Sequence, residues 1–348
     1  MSFARLVFTA ILGPPVLVVA IACALAAALA QLGRRSLAWD VLAHGAPIYL
    51  AGGLVAIAAA LLFHDRFRAF GLIAGLAAVV AAGLLMAPEY LRSAGPPVPP
   101  GPLNTIKVIQ MNIWAGQGGL ARPAAWLAAQ KPDFVIVEEA NRKVVDGLVK
   151  ATGLHLTSGR SNIIILSREA PVARTASASD FDSPMMMVGA VFRHDGEDFN
   201  VLGVHYPWPT EIDRLPQAEA AIRIIRALPA DTTILSGDFN STPWSFVRRS
   251  EDRSFGLIRR TRAVFSWPAN RGLPVPILPI DHIYAGAGWA TVEVERGPNL
   301  GSDHYPVVVT LARVAPPPGG PPASGAPPSG ARPGLPGADR APPARPPA

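Results

Sequence analysis

Three long stretches without a single charged residue constrain this chain before anything else does. Residues 6–31 (LVFTAILGPPVLVVAIACALAAALAQ), 41–63 and 69–87 contain no Asp, Glu, Lys or Arg. Each is about 19–26 residues long, close to the ~20 that an α-helix needs to cross ~30 Å of hydrocarbon. A cleaved leader would account for the first stretch alone and leave the other two unexplained. The expectation is three membrane helices within residues 1–91. Pro14 and Pro15 kink the first, which a bundle tolerates where neighbours satisfy the freed carbonyls. An odd number of spans puts the two chain ends on opposite sides. The amino terminus, Arg5, Arg66 and Arg68 share one side, against Arg34, Arg35 and Arg92 on the other. That margin points to an inside amino terminus and an exported C-terminal region.

Past the last stretch the composition changes twice. "RSAGPPVPPGP" opens an extended, proline-stiffened linker over 92–103 that would give the following domain reach. Residues 314–348 are almost all Pro, Gly, Ala and Ser, a tail that cannot bury a core. Between them, 104–313 is long enough for one sizeable domain. The chain carries a formal charge of +6, but residues 101–313 hold 22 Lys and Arg against 21 Asp and Glu. The surplus lies in the membrane loops and the tail, so the high isoelectric point is not the footprint of a nucleic-acid-binding domain. One cysteine, Cys23, lies in the first apolar stretch, which excludes an internal disulfide and a multi-thiolate metal site.

Residues 104–313 alternate short apolar runs with turn signals. The pattern predicts strands at 105–111, 134–137, 162–167, 187–193, 199–204, 232–236, 280–285 and 305–311, and helices at 121–130, 141–151 and 213–228. Many short strands with a few intervening helices imply an α/β fold of two packed sheets flanked by helices. Strand after strand ends in metal-binding or acid–base residues: Asn112, then Glu138 and Glu139, then His205, then Asp238 and Asn240. Asp281 and His282 sit inside "PIDHIYA", and Asp303 and His304 open the last strand in "GSDHYPVVV". In one sandwich such ends converge on a single cleft.

The chemistry that fits this set is metal-assisted attack of water on a phosphorus ester. Glu139, Asp303 and Asn112 offer the oxygen ligands that a hard divalent ion prefers, and such an ion neutralises phosphate charge and the departing oxygen. His304 with Asp281 forms a candidate pair, in which the carboxylate fixes the imidazole that takes a proton from water. Asn240 and His205 can donate to non-bridging oxygens.

The motifs "QMN" (110–112), "DFVIVEEA" (133–140), "VLGVH" (201–205), "SGDFNSTP" (236–243), "PIDHI" (279–283) and "GSDHYPV" (301–307) resemble, in this order, the endonuclease/exonuclease/phosphatase superfamily. Its members include deoxyribonucleases, abasic-site endonucleases, neutral sphingomyelinases and inositol-polyphosphate phosphatases. The resemblance spans 104–312 and implies a four-layer αββα sandwich and a Mg²⁺- or Mn²⁺-dependent phosphoesterase. It implies Glu139 as principal metal carboxylate, with Asn112 and Asp303 close to the metal. It implies Asp238 orienting the nucleophile or acting as acid–base, Asn240 contacting phosphate, and His304 paired with Asp281. His205 stands where the family has a histidine or a tyrosine, and a histidine there is similar to the deoxyribonuclease and sphingomyelinase branches. Two departures stand out. The family has Gln-Glu where this chain has Glu138-Glu139, which makes Glu138 a rival ligand, and His282 is placed to compete for Asp281.

The expected protein is a multi-pass membrane hydrolase of a bacterial-type inner membrane, with its catalytic domain on the periplasmic side. Its partners would be the bilayer and a phosphodiester, either nucleic acid or phospholipid. A phosphomonoesterase acting on inositol or lipid phosphates is the alternative within the class. A non-catalytic scaffold is the alternative outside it, and it is disfavoured because every motif position is filled. A transporter is disfavoured because the apolar stretches hold no acid or charged base. Residues 247–262 (VRRSEDRSFGLIRRTR) carry six arginines against two acids. They read either as a solvated face with local ion pairs or as a rim gripping substrate phosphate, with Trp244 and Trp267 available for stacking.

Overall fold

The computed structural model describes residues 3–101, 103–158, 162–174, 186–194, 196–211, 214–269, 272 and 275–314. The proline-rich tail from 315 onward lies outside the described residues, as does Asp213 at the start of one expected helix. Four helices come first: α1 (Phe3–Ala30), a single turn α2 (Leu37–Asp40), α3 (Ala46–Ala60) and α4 (Asp65–Leu91). They form three segments long and apolar enough to cross a membrane, Val7–Arg34, Leu37–Ala60 and Arg66–Leu91.

The rest is a four-layer αββα sandwich. Its strands are β1 (Thr105–Asn112), β2 (Phe134–Glu138), β3 (His155–Ser158), β4 (Ile164–Ser167), β5 (Ala173–Arg174), β6 (Met186–His194), β7 (Glu197–His205), β8 (Thr233–Asp238), β9 (Ile258–Arg259), β10 (Asp281–Ala285), β11 (Trp289–Arg296) and β12 (Val307–Arg313). One sheet has the order β11-β12-β1-β2-β4-β3 and the other β5-β6-β7-β8-β10-β9. The sandwich helices are α5 (Ala121–Gln130), α6 (Arg142–Thr152), α7 (Arg214–Arg226) and α8 (Phe246–Phe255). Strand alternation sends Ile106, Val108, Ile136, Val201, Ile234, Ile283 and Val309 into the layer between the sheets. The opposite faces bury Ile109, Val135 and Val308 under α5 and α6, and Leu202, Leu235 and Tyr284 under α7 and α8.

Register brings the polar strand ends to one edge. Asn112 pairs with Glu138 across the parallel β1–β2 ladder, His205 with Asp238 across β7–β8, and Asp238 with Asp281 across the antiparallel β8–β10 ladder. β12 runs antiparallel to β1, so Asp303 and His304, just before its start, arrive at the same edge as Asn112.

The catalytic-type domain is bolted to the helices that precede it. Asp40, only 4 % exposed, accepts from Ser245 Oγ at 2.6 Å and from the backbone N–H groups of Phe246 and Val247 at 2.7 and 3.2 Å. It therefore acts on the first turn of α8 as an N-terminal carboxylate supplied from outside the helix. His44 Nδ1 meets Thr242 Oγ1 at 2.9 Å, and Trp244 is fully buried among Ala30, Ala43, Ala46, Leu85 and Met86. At the end of α4, Glu89 holds Arg259 through contacts of 2.7 and 3.1 Å, and Arg92 reaches the carbonyls of Arg259 and Thr261.

Three expectations are corrected by this interface. The 92–103 segment does not begin as a free tether, because Arg92 and the carbonyl of Ala94 are bound by the domain. The arginine-rich segment is not a rim facing substrate. Arg248 pairs with Glu251 and Asp252, Arg259 with Glu89 and Asp252, and Arg260 and Arg262 bind carbonyls of Ala94, Ala285, Tyr90 and Arg92. Trp244 has no exposed face for stacking.

Removing the Asp40 carboxylate leaves buried donors at the start of α8 unpaired, which costs about 3 kcal/mol at hydrogen bonds to a charged group. Asp40→Ala is expected to lower the melting temperature of the full chain in lipid nanodiscs by several degrees. Asp40→Asn, which keeps an acceptor, is expected to recover most of the loss in the same thermal scan.

Candidate active site

Asp238, at the end of β8, is the hub of the polar edge. It is 1 % exposed. Its Oδ1 accepts from the backbone N–H of Asn240 at 2.8 Å. Its Oδ2 lies 3.2 Å from Asn112 Nδ2, 3.7 Å from His304 Nε2 and 3.7 Å from His205 Nε2. The same Asn112 amide donates to Glu139 Oε1 at 3.0 Å, so one side chain fixes two carboxylates relative to each other. Asn112 is itself fixed, because its Oδ1 accepts from Trp114 N–H at 3.0 Å.

His304 is held on both sides. Its Nδ1 faces Asp281 Oδ2 at 2.9 Å, while Asp281 Oδ1 accepts from Gln110 Nε2 at 2.7 Å. Gln110 also donates to Glu138 Oε2 at 3.0 Å, which completes a buried chain Glu138–Gln110–Asp281–His304. Burial opposes charge on His304, but Asp281, Asp238 and the hydrogen bond it donates to Asp281 outweigh it and raise its pKa to about 9. Burial and the neighbouring Asp281 push Asp238 up, against the pull of His304 and His205. Burial, with Asp281 and Asp238 beside it, pushes Glu138 well above its ordinary value, against the hydrogen bond from Gln110.

Glu138 and Glu139 face different surroundings, as neighbours on a strand end must. Glu138 is fully buried behind the dyad, whereas Glu139 is half-buried beside Asn112. His282 does not compete for Asp281. It lies on the opposite face of β10, where Nε2 meets the carbonyl of Ser241 at 2.9 Å and Nδ1 meets Thr261 Oγ1 at 3.3 Å. Burial there, with Arg259 nearby, drops its pKa well below the ordinary value. The Asn240 amide is occupied by the carbonyl of Tyr206 at 2.8 Å and lies 3.5 Å from His205 Nε2. Asp303, 6 % exposed, accepts from the Trp267 indole at 3.4 Å.

Glu139 and Asn240 both adopt left-handed backbone, at φ of 55° and 47°. Non-glycine residues visit that region rarely, and such strain collects where function needs an exact aim. The sequence reading passed over Gln110 and Ser302. Ser302 Oγ donates to the carbonyl of Asn112 at 2.7 Å and accepts from His304 N–H, tying "GSDH" to "QMN". A glutamine inside an otherwise apolar buried strand was the signal available for Gln110.

The donors suit a hard divalent cation. Glu139, Asp238 and Asp303 are carboxylates, and one atom each of Asp238, Asp281 and His304 lie within 4.8 Å of one another. A cluster of buried acids at this density calls for a positive charge at its centre.

Two facing mixed sheets with flanking helices, their strand ends gathering Asn, Asp, Glu and His around one hub, match the endonuclease/exonuclease/phosphatase fold. The chain belongs to the Endonuclease/Exonuclease/phosphatase family, whose model matches residues 109–304. Solved structures similar to it include an endonuclease/exonuclease/phosphatase from Beutenbergia cavernae (18 % identity, 60 % of this chain and 72 % of that one, TM-score 0.46). They also include a conserved protein of unknown function from Enterococcus faecalis (15 % identity, 60 % and 100 %, TM-score 0.49). A humanized D. rerio TDP2 is similar at 16 % identity (60 % and 98 %, TM-score 0.45). No curated protein matches the chain in sequence.

The raised pKa of His304 makes metal-free stability depend on pH. Below its unfolded value near 6.5 the imidazole is charged in both states and its full contribution is present. As pH rises towards and through about 9 the folded protein loses that proton, and the contribution disappears. With EDTA present, the melting temperature of the wild type is expected to fall between pH 6.5 and 9 more steeply than that of His304→Gln.

Proposed function

We propose that this protein is a membrane-anchored phosphodiesterase that depends on Mg²⁺ or Mn²⁺ and cleaves nucleic acid or phospholipid. The observation that carries the reading is the placement of Asp238 Oδ2 among Asn112, His205 and His304. A water held at that oxygen meets a carboxylate able to take its proton, with two imidazoles beside it. The charged His304, fixed by Asp281, supplies positive charge and a donor to the non-bridging oxygens, where charge builds up. That role differs from proton acceptance by His304, because an imidazole with a pKa near 9 already holds its proton at pH 7. Asn112 and Asn240 keep the surrounding carboxylates and His205 in fixed rotamers.

Glu139 and Asp303, with Asp238 nearby, are the residues that would hold the cation. Bound there, it would supply charge neutralisation on the phosphate and stabilise the leaving oxygen. Gln110, bonded to both Glu138 and Asp281, sits behind the dyad and keeps it in place.

The three apolar segments support anchoring in a bilayer. The arginine count of the flanking loops supports an exported catalytic domain.

The test uses the full chain in nanodiscs with bis(p-nitrophenyl) phosphate and supercoiled plasmid, with Mg²⁺, Mn²⁺ or EDTA. Cleavage of at least one substrate should require metal and fall about 10²–10⁴-fold in Asp238→Asn and in His304→Ala. Metal-independent cleavage, or variants with wild-type rates, would contradict the proposal.

A further inference from the structure

Between α1 and α3 lies an apolar slot of about 650 Å³ that the site just described does not use. Its walls are Val19 and Cys23 of α1, Ile48 and Val55 of α3, and one residue of the sandwich, Ile277. Its floor is tight, because a Cβ added at Gly52 would stand 2.6 Å from Cys23 Sγ. Its sides are open to the surroundings of the bundle, with Val19 and Val55 53 % and 66 % exposed.

Two chain paths connect the slot to the catalytic edge. Ile277 is four residues from Asp281, so at most about 14 Å of extended backbone separates them. Ile277 also donates its N–H to the carbonyl of Trp267 at 2.9 Å, and the Trp267 indole touches Asp303. Independently, Pro47 at the wall is three residues from His44, which bonds Thr242, two residues from Asn240. Two apolar side chains are exposed near these paths in the chain: Val275, 59 % exposed, two residues before Ile277, and Trp208, 46 % exposed, which packs edge-on against Trp267 with ring centres 6.1 Å apart. Indole rings and branched aliphatics of this kind suit the interfacial layer of a bilayer.

The slot's setting points to its occupant. Apart from Ile277 its lining belongs to Val7–Arg34 and Leu37–Ala60, segments apolar enough to cross a membrane. An apolar slot open at the side of such a bundle meets lipid hydrocarbon when the bundle lies in a bilayer. The arginines argue in the same direction. Arg248, Arg249, Arg259, Arg260 and Arg262 are spent on carboxylates and carbonyls of the interface, not held out along a nucleic-acid track.

We propose that the slot between α1 and α3 receives an acyl chain, and that the substrate is a phospholipid whose headgroup phosphodiester lies at Asp238 and His304. This rests on the phosphodiesterase reading above and narrows it. In the reaction the water oxygen bonds to phosphorus, one P–O ester bond breaks and the departing oxygen gains a proton. A phosphomonoester and an alcohol remain, and the second proton of water is released to solvent.

The full chain is reconstituted in nanodiscs of phosphatidylethanolamine, phosphatidylglycerol and phosphatidylcholine, doped with a phosphatidylcholine carrying a diazirine on its acyl chain. Photolabelling mapped by mass spectrometry is expected to concentrate on Val19, Cys23, Ile48 and Val55. Val55→Trp should cut that labelling and the release of phosphomonoester, followed by ³¹P NMR, at least fivefold. Ile73→Trp, exposed on α4 away from the slot, should change neither, and both variants should hydrolyse bis(p-nitrophenyl) phosphate at the wild-type rate. Labelling spread evenly over the lipid-facing residues, or lipid cleavage unchanged in Val55→Trp, overturns the proposal. A wild type that cleaves the soluble diester but no lipid overturns it while leaving the phosphodiesterase reading intact. A wild type that cleaves neither with Mg²⁺ or Mn²⁺ removes both.

Discussion

Three buried carboxyl groups, Glu138, Asp238 and Asp281, are forced into one neighbourhood by the register of β1, β2, β8 and β10, and the rest of the site follows from that crowding. Acids at such distances in a low-dielectric interior cannot all ionise without compensation. The sandwich answers in three ways. The Glu138 pKa is pushed up, which favours its neutral form, Gln110 and Asn112 each donate to two acids, and His304 carries a positive charge against Asp281 and Asp238. What remains at this edge is a set of carboxylates, Glu139, Asp238 and Asp303, of the kind a hard cation takes as donors. The glutamate that stands in place of the family's glutamine is thereby accommodated as a buried acid behind the dyad, bonded to Gln110, while Glu139 beside it is half-buried against Asn112.

A second constraint comes from the helices that precede the sandwich. Asp40, His44 and Glu89 are polar residues at the ends of apolar segments, and each is matched by the sandwich at α8, Thr242 or Arg259. The loop that carries Asp238 and Asn240 continues directly into Thr242, Trp244 and Ser245, all held by the preceding helices. Those helices and the polar edge are thus one mechanical piece. A chain cut after residue 95 would expose Trp244 and strand Arg259, so the helices serve the fold of the sandwich.

Much of this was legible in the sequence. The eight expected strands all exist, because short apolar runs bounded by turn residues leave few alternatives, and the six motifs meet at one edge because four close a strand and two open one in the opposite direction. β11 (WATVEVER) escaped because its outer positions are exposed and charged, which weakens the apolar signal. α8 escaped because its arginines read as a surface, whereas the structure buries Arg248 and Arg259 against acids brought from elsewhere. No local pattern announces a partner such as Glu89, 170 residues away in the chain. The exclusion of His282 from the dyad was a matter of strand parity and was readable in principle: it follows Asp281 directly and must face the other way.

The most direct test of this account is a Mn²⁺ titration of the full chain in nanodiscs, followed by electron paramagnetic resonance, with Glu139→Gln and Glu138→Gln alongside. The account predicts one tight site per chain, weakened at least tenfold by Glu139→Gln and left nearly unchanged by Glu138→Gln. Equal affinity in wild type and Glu139→Gln, or loss of the site in Glu138→Gln alone, would contradict it.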